Sequence, residues 1–163
     1  MGKKILFISF LTMGLTYSQT ALYNSGNLRI HQEGQLGFHT NLVNDGPFDE
    51  NAGLTGFYGT EPITISGALN PVLFDVEIVN DGGVWLETSL GVDNNTNFIA
   101  GDIITPRNNP AVHYSFFQNA LTIGENNGSK VEGYAMLSGQ GDFSFPVGDQ
   151  AQLRPLAISS NGI

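Results

Sequence analysis

Residues 72–86 read VLFDVEIVNDGGVWL, and this stretch decides the fold class. Apolar side chains alternate with the carboxylates of Asp75 and Glu77, which is the period of two that a half-buried β-strand shows. The run ends at residues 80–82, Asn-Asp-Gly, and a second apolar run begins at Val84. Because Asn and Gly tolerate the positive φ of a tight corner, the stretch predicts a strand, a corner and another strand.

The same pattern recurs from Leu22 onward, and no stretch shows apolar residues sustained at helical spacing. The centres of successive apolar runs lie about 11 or 12 residues apart, a spacing found in sandwiches, barrels and solenoids with two strands per rung. We therefore predict an all-β chain with a right-handed, parallel β-solenoid over residues 19–139 and the start of a further β unit in residues 140–163. An antiparallel β-sandwich is the alternative fold.

A weak internal repeat also favours stacked coils. Residues 44–46 and 80–82 are both Asn-Asp-Gly after an apolar run, at an offset of 36. The match predicts that similar turns end similar strands, although a general preference of Asn for loops explains it nearly as well.

The composition excludes several classes of protein. The chain has 163 residues, no Cys, and 15 acidic against six basic side chains, for a net charge of −9. The lack of Cys rules out a disulfide scaffold, a thiolate metal site and a cysteine nucleophile. The net charge argues against nucleic acid or an anionic membrane surface as a partner, because few basic groups are present to neutralise phosphates.

The N-terminal segment, residues 1–18, has the layout of a secretory signal peptide. Two lysines precede an apolar stretch from Ile5 to Leu15, and cleavage is expected between Ser18 and Gln19. The apolar stretch is too short for a bilayer span, which needs roughly 20 residues. We therefore expect an exported protein that does not span the membrane and lies outside the cell or at the outer-membrane surface.

One acidic loop is a weak candidate for calcium. Asp45, Asp49 and Glu50 supply three carboxylates within an irregular segment, which are the oxygen ligands that calcium prefers. Solvated turn carboxylates are the alternative interpretation. We expect no other metal and no cofactor.

Paired carboxylates are the only candidate catalytic residues that the sequence offers. Asp75 and Glu77 share one strand face, and Glu87 could lie beside them on the following coil, as a glycosidase or a polysaccharide lyase would need. The solvated face of a half-buried strand explains these residues more simply. We therefore assign no catalytic residue and predict that the chain is not an enzyme.

Trp85 is the most informative single residue. If Val84 and Leu86 point inward, alternation sends Trp85 and Glu87 outward, which places an aromatic plate beside an acid. Such a plate can stack on a sugar ring or seat a protein partner, whereas the alternative is a Trp packed under a loop or a neighbouring domain. Trp85 and Glu87 are the candidate contacts for a ligand or partner.

The segment FSFPVGD at residues 143–149, followed by LRPL at residues 153–156, resembles a recurring segment of large surface proteins from gliding, Bacteroidetes-type bacteria. Residues 130–135, the repeated strand and turn pattern and the signal peptide that ends before a Gln match the same group. The resemblance is to flavobacterial secreted surface proteins associated with gliding motility and type IX secretion. It implies that the chain is the N-terminal region of such a protein.

Within this segment the residues themselves indicate a structural role. Phe145 lies on the same face as Phe143 and Val147 in a predicted strand over residues 143–147. Pro146 fits only where its missing N–H is not needed. Gly148 and Asp149 are expected to form a corner, across which Asp149 can pair with Arg154.

These observations predict a non-enzymatic structural or adhesive module of an exported cell-surface protein, which the resemblance links to gliding motility or type IX secretion. The expected partners are other cell-surface proteins, further domains of the same chain, and glycans. The alternative functions are a carbohydrate-binding module and a polysaccharide-degrading β-helix.

Overall fold

The structure is a computed structural model that describes residues 20–159. Within this range the chain is all-β and contains no helix. The predicted signal peptide lies outside the described residues. The sixteen strands are β1 (Ala21–Asn24), β2 (Gln35–Phe38), β3 (Asn41–Asn44), β4 (Leu54–Gly59), β5 (Ile63–Ser66), β6 (Val72–Asn80), β7 (Val84–Leu86), β8 (Leu90–Ala100), β9 (Ile103–Ile104), β10 (Tyr114–Phe117), β11 (Leu121–Ile123), β12 (Val131–Glu132), β13 (Ala135–Ser138), β14 (Phe143–Phe145), β15 (Val147–Gly148) and β16 (Leu156–Ile158).

The strands build a parallel β-solenoid of about six turns. The first sheet has the order β1-β3-β5-β7-β9-β12-β15, and the second has the order β13-β10-β8-β6-β4-β2, with β11 also paired to β8. From β1 to β10 the chain therefore alternates between the two sheets, whereas β10 and β11 both belong to the second sheet. The parallel pairing confirms the predicted solenoid and excludes the antiparallel sandwich. No helix that could cross a membrane occurs in residues 20–159.

The strand register sets the length of one rung. Ala21 pairs with Asn41 and Val84 pairs with Ile103, so a rung takes about 20 residues. The offset of 36 between the two Asn-Asp-Gly turns is therefore not one rung. Residues 44–46 begin at the end of β3 in the first sheet, whereas residues 80–82 begin at the end of β6 in the second. The prediction that these turns end similar strands is wrong, because the two turns occupy opposite corners of the coil.

A column of residues precedes the strands of the first sheet at one corner. The carbonyl of each accepts a hydrogen bond from the first N–H of the strand in the rung before, at 2.8–3.1 Å. The column consists of Gly83, Asp102, Lys130 and Pro146. The N–H at this position is not part of the ladder: Gly83 N donates to Asn80 O and Lys130 N donates to Asp102 Oδ1. Proline is accommodated there for that reason.

Inward side chains from both sheets form one continuous core. Phe38 and Phe57 lie on successive rungs and stack with ring centroids 5.3 Å apart. Inside the core, the hydroxyl groups of Thr96 and Tyr114 lie 2.6 Å apart and share a hydrogen bond. Full burial raises the pKa of Tyr114, so its phenol stays protonated and keeps a partner. The core therefore tolerates a hydroxyl because another hydroxyl from the neighbouring rung satisfies it.

The strict alternation predicted for residues 72–78 breaks near the start of β6. The register between β6 and β8 shifts between Leu73 and Asp75, and Leu73 is buried while Val72 and Phe74 are only half-buried. Between these pairs Asp93 and Asn94 of β8 oppose Phe74 alone, so the extra residue of the bulge lies in β8 and the ladder is locally disrupted. Beyond the bulge, Asp75 and Glu77 point outward as predicted.

Residues 143–147 form two strands, not one. β14 pairs antiparallel with β16, whereas β15 pairs parallel with β12 and extends the first sheet. Pro146 separates the two strands, and its carbonyl accepts from Val131 N at 2.8 Å. The single strand predicted here is therefore wrong, and β15 extends the solenoid sheet beyond residue 139. Phe145 is nevertheless buried, in contact with the rings of Phe116 and Phe143.

The corner after β15 has the predicted form. Asp149 Oδ2 lies 2.9 Å from Arg154 Nη2, and a side chain at Gly148 would collide with the carbonyl oxygen of Gln152. Asp149 Oδ1 accepts hydrogen bonds from Ala151 N at 3.0 Å and from Gln152 N at 2.9 Å. These two backbone donors, together with the Arg154 guanidinium, lower the pKa of Asp149.

Candidate ligand-binding groove on the first sheet

Trp85 lies on the outer face of the first sheet, as the alternation predicted. Its neighbours Val84 and Leu86 are buried in the core, whereas Trp85 is 47% exposed. The indole Nε1 donates a hydrogen bond to Gly82 O at 3.1 Å. This bond ties the ring to the preceding turn, so the aromatic plate has a fixed orientation in the free protein.

The parallel register places a column of outward side chains on either side of Trp85. Thr64 pairs with Trp85, Trp85 pairs with Ile104, and Ile104 pairs with Glu132. Gly83 has a φ of 78°, and a Cβ at this position would lie 2.6 Å from Ile104 Cδ1. The positive φ favours glycine at this turn, and a larger residue would require the Ile104 side chain to move.

The column forms the floor of an open groove of about 580 Å³. Pro62 and Pro106 add apolar surface to the groove beside Trp85 and Ile104. The volume falls within the range of roughly 300–1,000 Å³ that small-molecule sites occupy. The floor is thus an apolar strip with an aromatic ring at its centre.

Polar groups form the rim of this groove. Glu87 is exposed at one side, and at the other Arg107 Nη2 lies 3.5 Å from Glu132 Oε1. The Arg107 side chain is 61% exposed and that of Glu132 only 15%, so the guanidinium faces the solvent and the carboxylate faces the sheet. Tyr134 holds the backbone of this corner through a hydrogen bond from its hydroxyl to Arg107 O at 2.9 Å, and Gln150 completes the rim.

The sequence identified two residues of this groove and missed the others. Trp85 and Glu87 both line it, in agreement with their predicted outward positions. Arg107, Glu132 and Gln150 come from later rungs and carry no local motif. Ile104 lies one rung after Trp85, but the following rung contains more residues than the earlier ones. No regular spacing in the sequence therefore predicts Glu132.

The three carboxylates that the sequence offered as candidate catalytic residues do not lie together. Asp75 and Glu77 lie on the second sheet, whereas Glu87 follows β7 of the first sheet, so the predicted proximity of Glu87 is wrong. Asp75 Oδ1 accepts from Asn94 Nδ2 at 2.7 Å, and Glu77 Oε1 accepts from the Tyr58 hydroxyl at 3.0 Å. Burial, and then this hydrogen bond to Glu77, raise the pKa of Tyr58.

The acidic loop does not assemble a calcium site. Asp45 Oδ1 accepts a hydrogen bond from Ala68 N, and Glu50 pairs with Arg29, each at 2.9 Å, while Asp49 is exposed. Among residues 20–159, no group of three His, Cys, Asp or Glu side chains is placed to hold a metal ion. Asp45 and Glu50 are thus directed to different partners on neighbouring segments.

The side chains of the groove are suited to binding a ligand. It offers an aromatic plate, an apolar strip, two carboxylates that accept hydrogen bonds, and a guanidinium and a carboxamide that donate them. Comparison with known proteins gave no counterpart, since no family model, no curated protein and no solved structure matches the chain.

Proposed function

We propose that this chain is a non-enzymatic structural and adhesive module of an exported cell-surface protein. The observation that carries the proposal is the stack of parallel rungs around one uninterrupted core. In such a repeat each rung packs on the next, so the chain forms a stiff body with long lateral surfaces. Stiff extended bodies are suited to holding a binding surface away from a cell.

The outer face of the second sheet is consistent with a solvated, extracellular surface. Amide and carboxylate side chains of neighbouring rungs pair along it, as Asn94 does with Asp75 and Asn97 does with Glu77. Such pairs join one rung to the next without any cysteine. The stack is thus held by packing, hydrogen bonds and ion pairs, as an exported chain without disulfides requires.

The proposed location depends on two features of the sequence. Residues 1–18 have the layout of a signal peptide, and residues 143–149 resemble a segment of Bacteroidetes surface proteins. Both favour export to the cell surface, with gliding motility or type IX secretion as the associated process.

Surface exposure is tested with the full chain carrying an epitope tag in a flavobacterial host. Protease added to intact cells should degrade the tagged chain, and mass spectrometry of the mature N-terminus should find Gln19. A matched chain without residues 1–18 should stay inside and be protected. Full protection of the complete chain in intact cells would overturn the proposed location.

The adhesive role is tested by deleting the gene and measuring attachment of cells to glass and to neighbouring cells. We expect attachment to fall and to recover when the full chain is restored. Unchanged attachment would refute the adhesive role. Release of reducing ends or unsaturated products from polysaccharides by the purified chain would instead support the polysaccharide-degrading alternative and overturn the non-enzymatic assignment.

A further inference from the structure

We propose that the groove around Trp85 is a binding subsite for a neutral hexopyranose unit of a glycan. This inference deepens the proposed adhesive function, on which it rests, by naming the chemical class of the ligand. It is carried by four properties of the groove: a preoriented aromatic ring, an apolar strip, a rim with both donors and acceptors, and a nearly balanced local charge.

The preoriented ring is the first property. The hydrogen bond from Trp85 Nε1 to Gly82 O restricts the rotation of the indole, while about half of the side chain stays exposed. A side chain that is already held in place loses little conformational entropy when a ligand covers it. An exposed and fixed tryptophan is therefore a better platform than a mobile one.

The apolar strip is the second property. Pro62, Ile104 and Pro106 lie next to the indole and extend the flat surface beyond the ring. One face of a pyranose carries C–H groups, while its edge carries hydroxyl groups. A flat apolar strip with a polar rim matches that division, since the C–H face is buried and the hydroxyl edge reaches the rim.

The composition of the rim is the third property. Each sugar hydroxyl both donates and accepts a hydrogen bond. Glu87 and Glu132 supply acceptors, Arg107 supplies guanidinium donors, and the carboxamide of Gln150 supplies both. An exclusively acidic or exclusively basic rim would satisfy only half of the hydrogen-bonding capacity of a row of hydroxyls.

Charge is the fourth property and separates a neutral sugar from charged alternatives. Glu132 is paired with Arg107, which leaves Glu87 as the remaining carboxylate of the rim. A polyanionic polysaccharide would be repelled by Glu87 and by a chain of net charge −9. A cationic ligand would find one carboxylate, but it would leave the strip at Pro62 and Pro106 uncovered.

The test uses the fact that Trp85 is the single tryptophan of the chain. Its fluorescence in the purified full chain is titrated with neutral hexasaccharides of glucose, mannose and galactose, with an oligogalacturonate and with a chitosan oligomer. We expect at least one neutral sugar to change the emission in a saturable way. The affinity should change little with added salt, since no net charge is paired on binding.

The variants identify the site. Trp85→Ala should weaken binding at least about tenfold by calorimetry, as loss of a central aromatic contact does, and Trp85→Phe should recover part of the affinity. Tyr23→Ala is the matched control, because Tyr23 is an exposed aromatic residue on β1 of the same sheet and lies outside the groove. Glu87→Gln, which removes the charge and retains one hydrogen-bond acceptor, should weaken binding of a neutral sugar less than Trp85→Ala does.

Three results would overturn the inference: no response to any neutral sugar, equal binding by Trp85→Ala and the unaltered chain, or salt-sensitive binding of the chitosan oligomer alone that Glu87→Gln abolishes. The last result would identify a site for cations. These failures leave the proposed function standing if the chain still reaches the surface and mediates attachment. A chain that binds sugars but stays inside the cell would refute the proposed function alone.

Discussion

From β1 to β9 the rungs of the first sheet differ little in length, whereas Ile103 pairs with Val131 only 28 residues later, and Val131 pairs with Val147 after 16. The corners differ as well. In the early rungs Asn24 Nδ2 donates to Asn44 Oδ1 at 2.7 Å, and Asn44 Nδ2 donates to Leu69 O at 2.8 Å. At the late junction Lys130 is fully buried, with its Nζ 3.1 Å from Asp102 Oδ2 and 2.8 Å from Asn127 O.

The amide pairs of the early rungs and the ion pair of the late junction are two ways of joining rungs of unequal length. An amide side chain is both donor and acceptor, so Asn44 can pair with the rung before and the rung after, provided that rung lengths keep it in line. An ion pair needs only its two members to meet, and it can fix a single irregular junction. It concentrates the stability of that junction in one contact, because a buried charge without its partner is costly.

The largest effect is expected from Asp102→Ala. This change leaves the ammonium group of Lys130 with only the carbonyl of Asn127 as a polar partner. Removing one member of a buried pair typically costs about 3–5 kcal/mol in the free energy of unfolding. Urea unfolding followed by circular dichroism measures the loss, and amide hydrogen exchange should rise first in the rungs next to Lys130.

Two controls accompany this variant. The double variant Asp102→Ala with Lys130→Met should regain most of the stability, since the unpaired charge is gone. Glu50→Ala breaks the exposed pair with Arg29 and should cost at most about 1 kcal/mol. Equal losses in Asp102→Ala and Glu50→Ala would show that the late junction does not depend on the buried pair.

An intermediate effect is expected from Asn44→Ala in the early rungs. The substitution removes the donor to the Leu69 carbonyl and the shortest of the acceptors of Asn24 Nδ2, which keeps Gly46 O and Pro47 O. Such a loss costs about 1–3 kcal/mol. Asn94→Ala is the control, because Asn94 is an exposed amide that also pairs across rungs and should change stability by no more than about 0.5 kcal/mol. If both variants lose the same stability, the buried ladder has no special role.

The smallest effect concerns the exposed corner at Asp149 and its dependence on pH. The pKa of this carboxyl is lower in the folded chain than its ordinary value of 3.8, so its ionised form stabilises the fold above that value. The contribution is lost as the pH falls through the folded pKa. Asp149→Asn should therefore be slightly less stable than the unaltered chain near neutral pH and equal to it in strong acid, measured as urea midpoints. A stability difference that does not change with pH would contradict this expectation.

Local features of the fold could be predicted because they depend on neighbours in sequence. The alternation around Asp75 and Glu77 indicated a strand, and the same rule placed Trp85 outward on the next strand. The pairing of Asp149 with Arg154 followed from the short corner between them. In each case the relevant partners lie within a few residues, so periodicity and turn chemistry are sufficient.

Features that depend on neighbouring rungs could not be predicted in the same way. The long rung contains an additional strand, β11, which pairs with β8 beside β10 and moves Glu132 out of any regular spacing. The bulge between β6 and β8 next to Leu73 likewise leaves no local signal in the sequence. The burial of Lys130 was equally hidden, since lysine is almost always exposed and only the position of Asp102 one rung away explains the exception.

The arrangement of β11 beside β10 has a consequence for how this fold can vary. The added residues form β11, which pairs with β8 next to β10. Val131 still pairs with Ile103, so the next rung stacks on the one before it. Chain length at a corner is thus decoupled from rung stacking, so insertions there leave the repeat intact. An insertion has to spare the tight turn at residues 126–129, because Asn127 O accepts a hydrogen bond from Lys130 Nζ and Asn127 Oδ1 accepts one from Leu153 N.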